Sequence, residues 1–425
     1  MSDRSDQLVR IEKPVYGGDF LARAEGKAMF VSLALPGEAA RVRVVGEKSG
    51  YANAEIERIE EAANRRVTPH CAHFGTCGGC QYQHTDEATQ IEFKRAILRE
   101  VLERGGVRVE DEINVLAGTP WGYRNRIRLT FDAQGRFGYR GRRSHNVVPI
   151  AGCPIAAPLL MEAAAGFAEC ARTWKQKPTE VTLFCNADET ALLMSAVFAG
   201  APKLDVSALG REMAARVPAL KGIDLLVAAR GNAMPCAVTR WGETSLTYDA
   251  AGFAYRVDQG AFFQVNRFLI DRFVQHVTAG YAGRLAWDLF AGVGLFARQL
   301  TTGFERVVAV ESAGASTQAL AANLKFTRST PVRAATLDFL RRDHGDGRPD
   351  FVVVDPPRSG LGAEVVSQLV EVAPADMVYV SCDPATLARD LSVMVKSGYR
   401  LHAVTLVDLF PQTFHLETVV QLKRA

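Results

Sequence analysis

No stretch of this chain approaches the ~20 consecutive apolar residues that a helix needs to cross a bilayer. The first residues, MSDRSDQLVR, lack the apolar centre of a signal peptide. A cytoplasmic protein without membrane partners is therefore expected. Internal repeats and low-complexity linkers are also absent. Cysteine is sparse, eight residues spread over 425, which favours metal binding or catalysis over a disulfide framework. Net charge is small as well, +3, so the overall balance says little about partners.

What is present is a globular composition, 48% apolar and 23% charged. At roughly 100–200 residues per domain, this length predicts two to four domains. The charge is unevenly distributed. Between Trp121 and His145 stand seven arginines (124, 126, 128, 136, 140, 142, 143) against one acid, Asp132. That density suits a polyanion, although a solvated basic strand pair would look the same.

Residues 8 to 60 alternate apolar and polar positions in five short segments (LVRIEKP, FLARAEG, KAMFVSLAL, ARVRVVGEK, YANAEIERI) separated by Gly, Pro or Asn turns. Five short strands predict a small barrel. The segment CAHFGTCGGC then places Cys71, Cys77 and Cys80 within ten residues. A helix is predicted over Glu87 to Arg104, with Ile91, Ala96, Ile97, Val101 and Leu102 at helical spacing and Gly105-Gly106 as its stop. After the arginine-rich hairpin, Ala156 to about Thr247 mixes helix and strand character. From about Phe253 strands alternate with helices, which predicts a parallel sheet.

Three strand ends of that region carry chemistry. LAWDLFAGVGLFARQL, Leu285 to Leu300, reads as strand, glycine turn and helix, and RVVAVE ends in Glu311 about twenty residues later, where a carboxylate can accept from ribose hydroxyls. The turn has no third glycine, and Asp288 precedes it; both favour S-adenosylmethionine over a dinucleotide. DFVVVDPPRSGL runs into Asp355-Pro356-Pro357-Arg358, and MVYVSCDPATLARDL into Ser381-Cys382-Asp383-Pro384. Ligands of open α/β sheets lie beyond the carboxyl ends of the strands, so these turns should share one crevice.

Asp383 reads as an N-cap and Pro384 as a first helical residue, which sets Cys382 ahead of a helix N-terminus that favours thiolate. Alone, a Cys after a strand is a small buried hydrophobe; beside the cofactor turn and Asp355, a nucleophile is the better reading. A methyltransferase needs one when its acceptor is carbon 5 of a pyrimidine. Thiolate addition to carbon 6 makes carbon 5 nucleophilic, and a base must then remove the carbon 5 proton. Glu417, in the apolar LVDLFPQTFHLETVVQLKR, is the candidate base, although a strand-edge surface Glu would look the same there.

These residues together resemble the bacterial RNA uracil-5-methyltransferases that use S-adenosylmethionine and carry an iron-sulfur cluster, closest to those acting on large-subunit ribosomal RNA. LPGE at Leu35 to Glu38, within the first sixty residues, is similar to the TRAM barrel of that family. Its cluster motif is matched by CxxxxxCGGCxxQH at Cys71 to His84, and its central signature by Tyr123-Arg124-Asn125-Arg126. Gln264-Val265-Asn266, DLFAGVG, DPPR, SCDP and HLET resemble its catalytic motifs.

The resemblance implies a TRAM-like barrel over 1–62, a central α+β domain with the cluster and basic hairpin over 63–252, and a Rossmann-like class I methyltransferase domain over 253–425. It implies Cys382 as nucleophile and Glu417 as base. Gln264, Phe290, Leu295, Glu311, Asp338 and Asp355 are implied around S-adenosylmethionine, with Asp355 also near the target base; Leu295 and Asp338 stand where some members have Asn. Cys71, Cys77, Cys80 and Cys153 (in IAGCPIA) are implied as ligands of a [4Fe-4S] cluster, whereas spacing alone fits zinc equally, with His73 or His84 as fourth ligand. The expected partner is 23S ribosomal RNA, bound by a monomer that flips out the target uridine, with Trp121, Phe137 and Tyr139 available for stacking. A transfer RNA uridine methyltransferase and a non-catalytic iron-sulfur RNA-binding protein are the alternatives. Cys170, Cys185 and Cys236 are expected as buried thiols.

Overall fold

A computed structural model describes residues 7–132, 134–229, 231, 234–342 and 347–424. The first five strands, Gln7–Pro14, Asp19–Ala24, Lys27–Ser32, Ala39–Glu47 and Tyr51–Glu61, close into the expected barrel. Their alternation buries Val9, Ile11, Phe20, Ala22, Met29, Val31, Ala40 and Val42 in a core of its own, which Tyr82 and Phe93 seal from outside.

The helix Glu87–Arg104 has the predicted bounds, with Asp86 as its N-cap accepting from Thr89 N. Its buried face differs from the apolar positions anticipated. Ala96 is exposed, and Gln90 and Lys94 are buried with Phe93, Ile97, Leu98, Val101 and Leu102. Polar groups on a buried face need partners, and these two find theirs at the functional site described below.

The arginine-rich segment forms the hairpin Arg126–Phe131 and Phe137–Arg140 within a seven-stranded sheet whose core also holds the helices Pro158–Ala171 and Val206–Arg216. A second sheet has eight strands, in the order Ser329–Arg333, Phe304–Glu311, Gly283–Leu289, Phe351–Val354, Asp376–Ser381, Glu417–Arg424, Tyr399–Val407 and Asn114–Leu116. The first five are parallel, and Glu417–Arg424 runs antiparallel to both its neighbours. Apolar clusters cover both faces of this sheet, as a buried parallel sheet requires. Strand order reverses between Gly283–Leu289 and Phe351–Val354, so the crevice opens at their carboxyl ends. Among the described residues, no helix is long and apolar enough to cross a membrane.

Candidate active site

The crevice is built from the turn that follows Leu289. Phe290, Gly292 and Gly294 all take positive φ, 67°, 56° and 89°. At Gly294 the requirement for glycine is double, because a Cβ there would stand 2.7 Å from Leu320 Cδ1. Glu311 spans the turn: one carboxylate oxygen accepts from Gly292 N (2.8 Å), the other from Ser312 N and Ala313 N (2.7 and 2.6 Å). Asp288 is fully buried, and its Oδ2 accepts from Ala297 N at 2.8 Å, fastening the strand to the helix Leu295–Leu300. Burial, with Asp355 and Glu311 nearby, pushes the Asp288 carboxyl up to about 8. Leu295 faces the apolar core, while Asp338 is exposed in the short helix Thr336–Leu340.

Strand register brings the two candidate catalytic residues together. Ser381 pairs with Thr418 at the end of an antiparallel ladder, so Cys382 and Glu417, the next residues on either strand, emerge beside one another. Asp355 follows Val354, which pairs with Tyr379 on the same side, and Gln264 Nε2 donates to Asp355 Oδ2 at 3.4 Å. Arg358 donates to His415 Nδ1 at 3.2 Å; burial and this cation hold the imidazole down at about 4, a neutral acceptor.

Burial raises the carboxyls of both Glu417 and Asp355 well above the usual range; at Glu417 the charge of Asp355 adds to this and Arg358 opposes it. The thiol of Cys382 is likewise pushed up, to about 12, first by burial and then by Glu417 and Asp355, against Arg358. This corrects the expected thiolate. Any pull of the helix N-terminus, whose Ala385 N and Thr386 N are already taken by Asp383 Oδ1 at 3.0 Å, is outweighed by burial and the two carboxyls. The resting site therefore holds a neutral thiol beside carboxyls of high proton affinity.

The segment from Asp408 to Phe414, just ahead of Glu417, is held from four directions. Fully buried Lys94 reaches Asp408 Oδ1 (2.6 Å) and the Phe410 carbonyl (2.9 Å). Gln90 and Gln412 bond reciprocally, Nε2 to Oε1 at 3.0 Å and Gln412 N to Gln90 Oε1 at 2.9 Å. The Gln412 carbonyl accepts from Gln81 N and Tyr82 N, directly after Cys80. Tyr123 Oη donates to the Pro411 carbonyl (3.0 Å) and Asn266 Nδ2 to that of Leu409 (3.1 Å). Tyr123-Arg124-Asn125 is laced in turn to Gln264-Val265-Asn266, with Asn125 Nδ2 donating to the Gln264 carbonyl at 2.9 Å. Sequence reading passed over Lys94, Gln90 and Gln412; the available signal was a Lys and a Gln on the apolar side of the helix, four residues apart.

Cys71, Cys77, Cys80 and Cys153 line one cavity of about 910 Å³, with Arg124, Tyr139 and His415 also on its wall. Among the described residues, no three His, Cys, Asp or Glu side chains stand close enough for a single metal ion. His84 is turned away, its Nε2 on the Ala34 carbonyl at 2.9 Å, and His73 Nε2 accepts from Ala151 N at 3.4 Å. Cys170 and Cys185 are buried as expected; Cys236, on the edge strand Cys236–Gly242, is exposed, because among the described residues no further strand pairs with that edge. Of the hairpin arginines, Arg142 and Arg143 reach across to Glu55 and Asp19 of the barrel. Phe137 and Tyr139 pack against the core, while Trp121 lies against the ring of His70.

Comparison with known proteins yields near full-length relatives. A protein of Aeromonas hydrophila named 23S rRNA (uracil(1939)-C(5))-methyltransferase RlmD is 32% identical over 444 residues, 99% of this chain and 98% of that one. The chain belongs to the RNA (uracil-5-)-methyltransferase family. A Klebsiella pneumoniae protein of the same name is 33% identical over 96% of this chain and 93% of its own. A Thermotoga maritima protein described as an uncharacterized RNA methyltransferase is 30% identical over 98% of both chains. The tRNA (Uracil-5-)-methyltransferase family profile matches residues 345–425 and the TRAM domain profile residues 3–56. The structure of the Pyrococcus abyssi tRNA (uracil-54, C5)-methyltransferase in complex with S-adenosyl-L-homocysteine superposes with a TM-score of 0.79, covering 98% of this chain and all of that one at 23% identity, a likeness of fold. This family member is thus an S-adenosylmethionine-dependent uracil-5 methyltransferase of RNA, with a TRAM barrel at its N-terminal end.

Proposed function

We propose that this methyltransferase modifies a uridine of 23S ribosomal RNA in the cytoplasm, through a covalent enzyme–RNA intermediate. The observation that carries the mechanism is the emergence of Cys382 and Glu417 side by side from one strand ladder, with Asp355 and Gln264 at the neighbouring strand end. The Cys382 proton passes to the ionised form of Asp355, whose carboxyl burial raises to about 7, and the thiolate sulfur bonds to carbon 6 of the flipped uracil. The ring electrons move toward carbon 5 and O4; carbon 5 then takes the methyl group from the sulfonium, releasing S-adenosylhomocysteine. Glu417, ionised at that stage, removes the carbon 5 proton, and the C–S bond breaks to restore the ring. A buried carboxylate with raised proton affinity is a stronger base than a solvated one.

S-adenosylmethionine, the second substrate, is held in this reading by Gln264, Phe290, Glu311, Asp338 and Asp355, with Leu295 opening the helix after the glycine turn. The four cysteines that line one cavity, Cys71, Cys77, Cys80 and Cys153, are the all-cysteine set that would hold a [4Fe-4S] cluster in this reading. An all-cysteine cluster supplies a rigid crosslink: here Cys71, Cys77 and Cys80 would be tied to Cys153 beyond the basic hairpin. The RlmD names of the near full-length relatives support 23S rRNA as the target.

Unmodified 23S and transfer RNA transcripts, incubated with labelled S-adenosylmethionine and mapped for 5-methyluridine, test the target. One site in 23S is expected. Label confined to transfer RNA would overturn it, and favour the activity named for the Pyrococcus abyssi protein.

A further inference from the structure

We propose that Tyr16, in the N-terminal barrel, is a positioning residue of the methyl-transfer site that holds the loop of Cys382 against the loop leading to Glu417. This rests on the reading of Cys382 as nucleophile and Glu417 as base.

The strands Gln7–Pro14 and Asp19–Ala24 are joined by Val15-Tyr16-Gly17-Gly18, closed by Val15 N on the Asp19 carbonyl at 3.0 Å. This turn is pressed into the catalytic half of the molecule. A Cβ on Gly18 would stand 2.8 Å from Gln81 Cγ and 3.3 Å from Phe414 Cβ, and Gly18 has φ of 92°, so only glycine allows so close an approach. Tyr16 extends from the turn into the gap between two loops. Its hydroxyl donates to Asp383 Oδ2 at 3.2 Å, and its ring meets Phe414 edge-on with centroids 5.9 Å apart.

Each contact is one step from the chemistry. Asp383 follows Cys382, and its other oxygen, Oδ1, caps the helix Pro384–Lys396. Tyr16 therefore fixes a carboxylate that already sets the backbone beside the sulfur. Phe414 packs on His415, centroids 4.4 Å apart, and His415 accepts from Arg358, the cation that faces both Cys382 and Glu417. Burial and Asp383 raise the Tyr16 hydroxyl well above its ordinary value, so it remains a donor across the working pH range. A barrel that only gripped RNA would need no side chain at this junction.

The test uses the full-length protein on whichever unmodified transcript, 23S or transfer RNA, the wild type methylates, with Cys382→Ala as a control. Tyr16→Phe keeps the ring and removes the donor. Loss of a hydrogen bond to a charged group predicts a single-turnover rate about tenfold lower, with KM for RNA and RNA affinity within about twofold of wild type. Asp383→Asn keeps an oxygen for the cap and loses the anionic partner, so the double variant Tyr16→Phe/Asp383→Asn should be no slower than the slower single variant. An unchanged rate in Tyr16→Phe, or an effect confined to KM, overturns the positioning role while leaving an inert Cys382→Ala, and hence the nucleophile reading, intact. Turnover by Cys382→Ala overturns both.

Discussion

Ser381 and Thr418 face each other as the last pair of an antiparallel ladder, and this single register contact sets Cys382 beside Glu417. Backbone hydrogen bonding thus fixes where the thiol-bearing and the carboxyl-bearing residue leave the sheet. Burial raises the proton affinity of both, and the charge of Glu417 raises that of Cys382 further.

Replacing the sulfur tests the first half of that pair. Cys382→Ala should abolish methyl transfer, while filter binding shows RNA affinity within about twofold of wild type, since a half-buried thiol contributes little to a phosphate-dominated interface. Retained turnover would remove Cys382 from the reaction.

Lys94 should be a stability residue out of proportion to its type. Its ammonium is fully buried on Asp408 and the Phe410 carbonyl, so Lys94→Met strands a buried carboxylate and should cost about 3–5 kcal/mol in chemical denaturation. Lys94→Met/Asp408→Leu should recover part of that loss. Equal stability of Lys94→Met and wild type would show that the pair does not hold the loop.

Asp288 predicts a pH signature. In the unfolded chain its carboxyl titrates near ~4, and burial in the fold pushes it up to about 8. A raised folded value contributes stability that is fully present below the unfolded value and is lost as pH rises through the folded one. Asp288→Asn has no such loss. Its unfolding free energy should therefore gain on wild type as pH rises from about 5 to 8, by up to about 1.4 kcal/mol per pH unit, then level off. A gap that stays constant with pH would contradict the burial of an ionisable group there.

The four thiols on the large cavity give a spectroscopic prediction. Anaerobically purified protein should be coloured, with a broad visible band and about four irons per chain, and Cys153→Ser should lose both. A colourless protein carrying zinc would overturn the cluster.

Much of the fold was legible because it is written in local patterns. Alternation along the first sixty residues announced the barrel strands, Gly105-Gly106 marked the end of the helix Glu87–Arg104, and Asp383-Pro384 marked the start of another. Motif resemblance brought Cys382 and Glu417 forward, but their adjacency depends on the register of strands far apart in the chain, which no local pattern states. The resting state of Cys382 was misread for the same reason: helix start is local, whereas Glu417 and Asp355 arrive from other strands and reverse its effect. Lys94 was marked only by its place on the apolar side of its helix, and Tyr16 not at all. One looks like a solvated helix position and the other like a turn residue until Asp408 and Asp383 are brought to them.

The most direct test of covalent catalysis is the fate of RNA on Glu417→Gln. With the carbon 5 proton unable to leave, a denaturant-resistant protein–RNA adduct should accumulate, and peptide mass spectrometry should find a methylated uridine bonded to Cys382. No adduct, or an adduct on any other residue, would contradict the pairing of Cys382 as nucleophile with Glu417 as base.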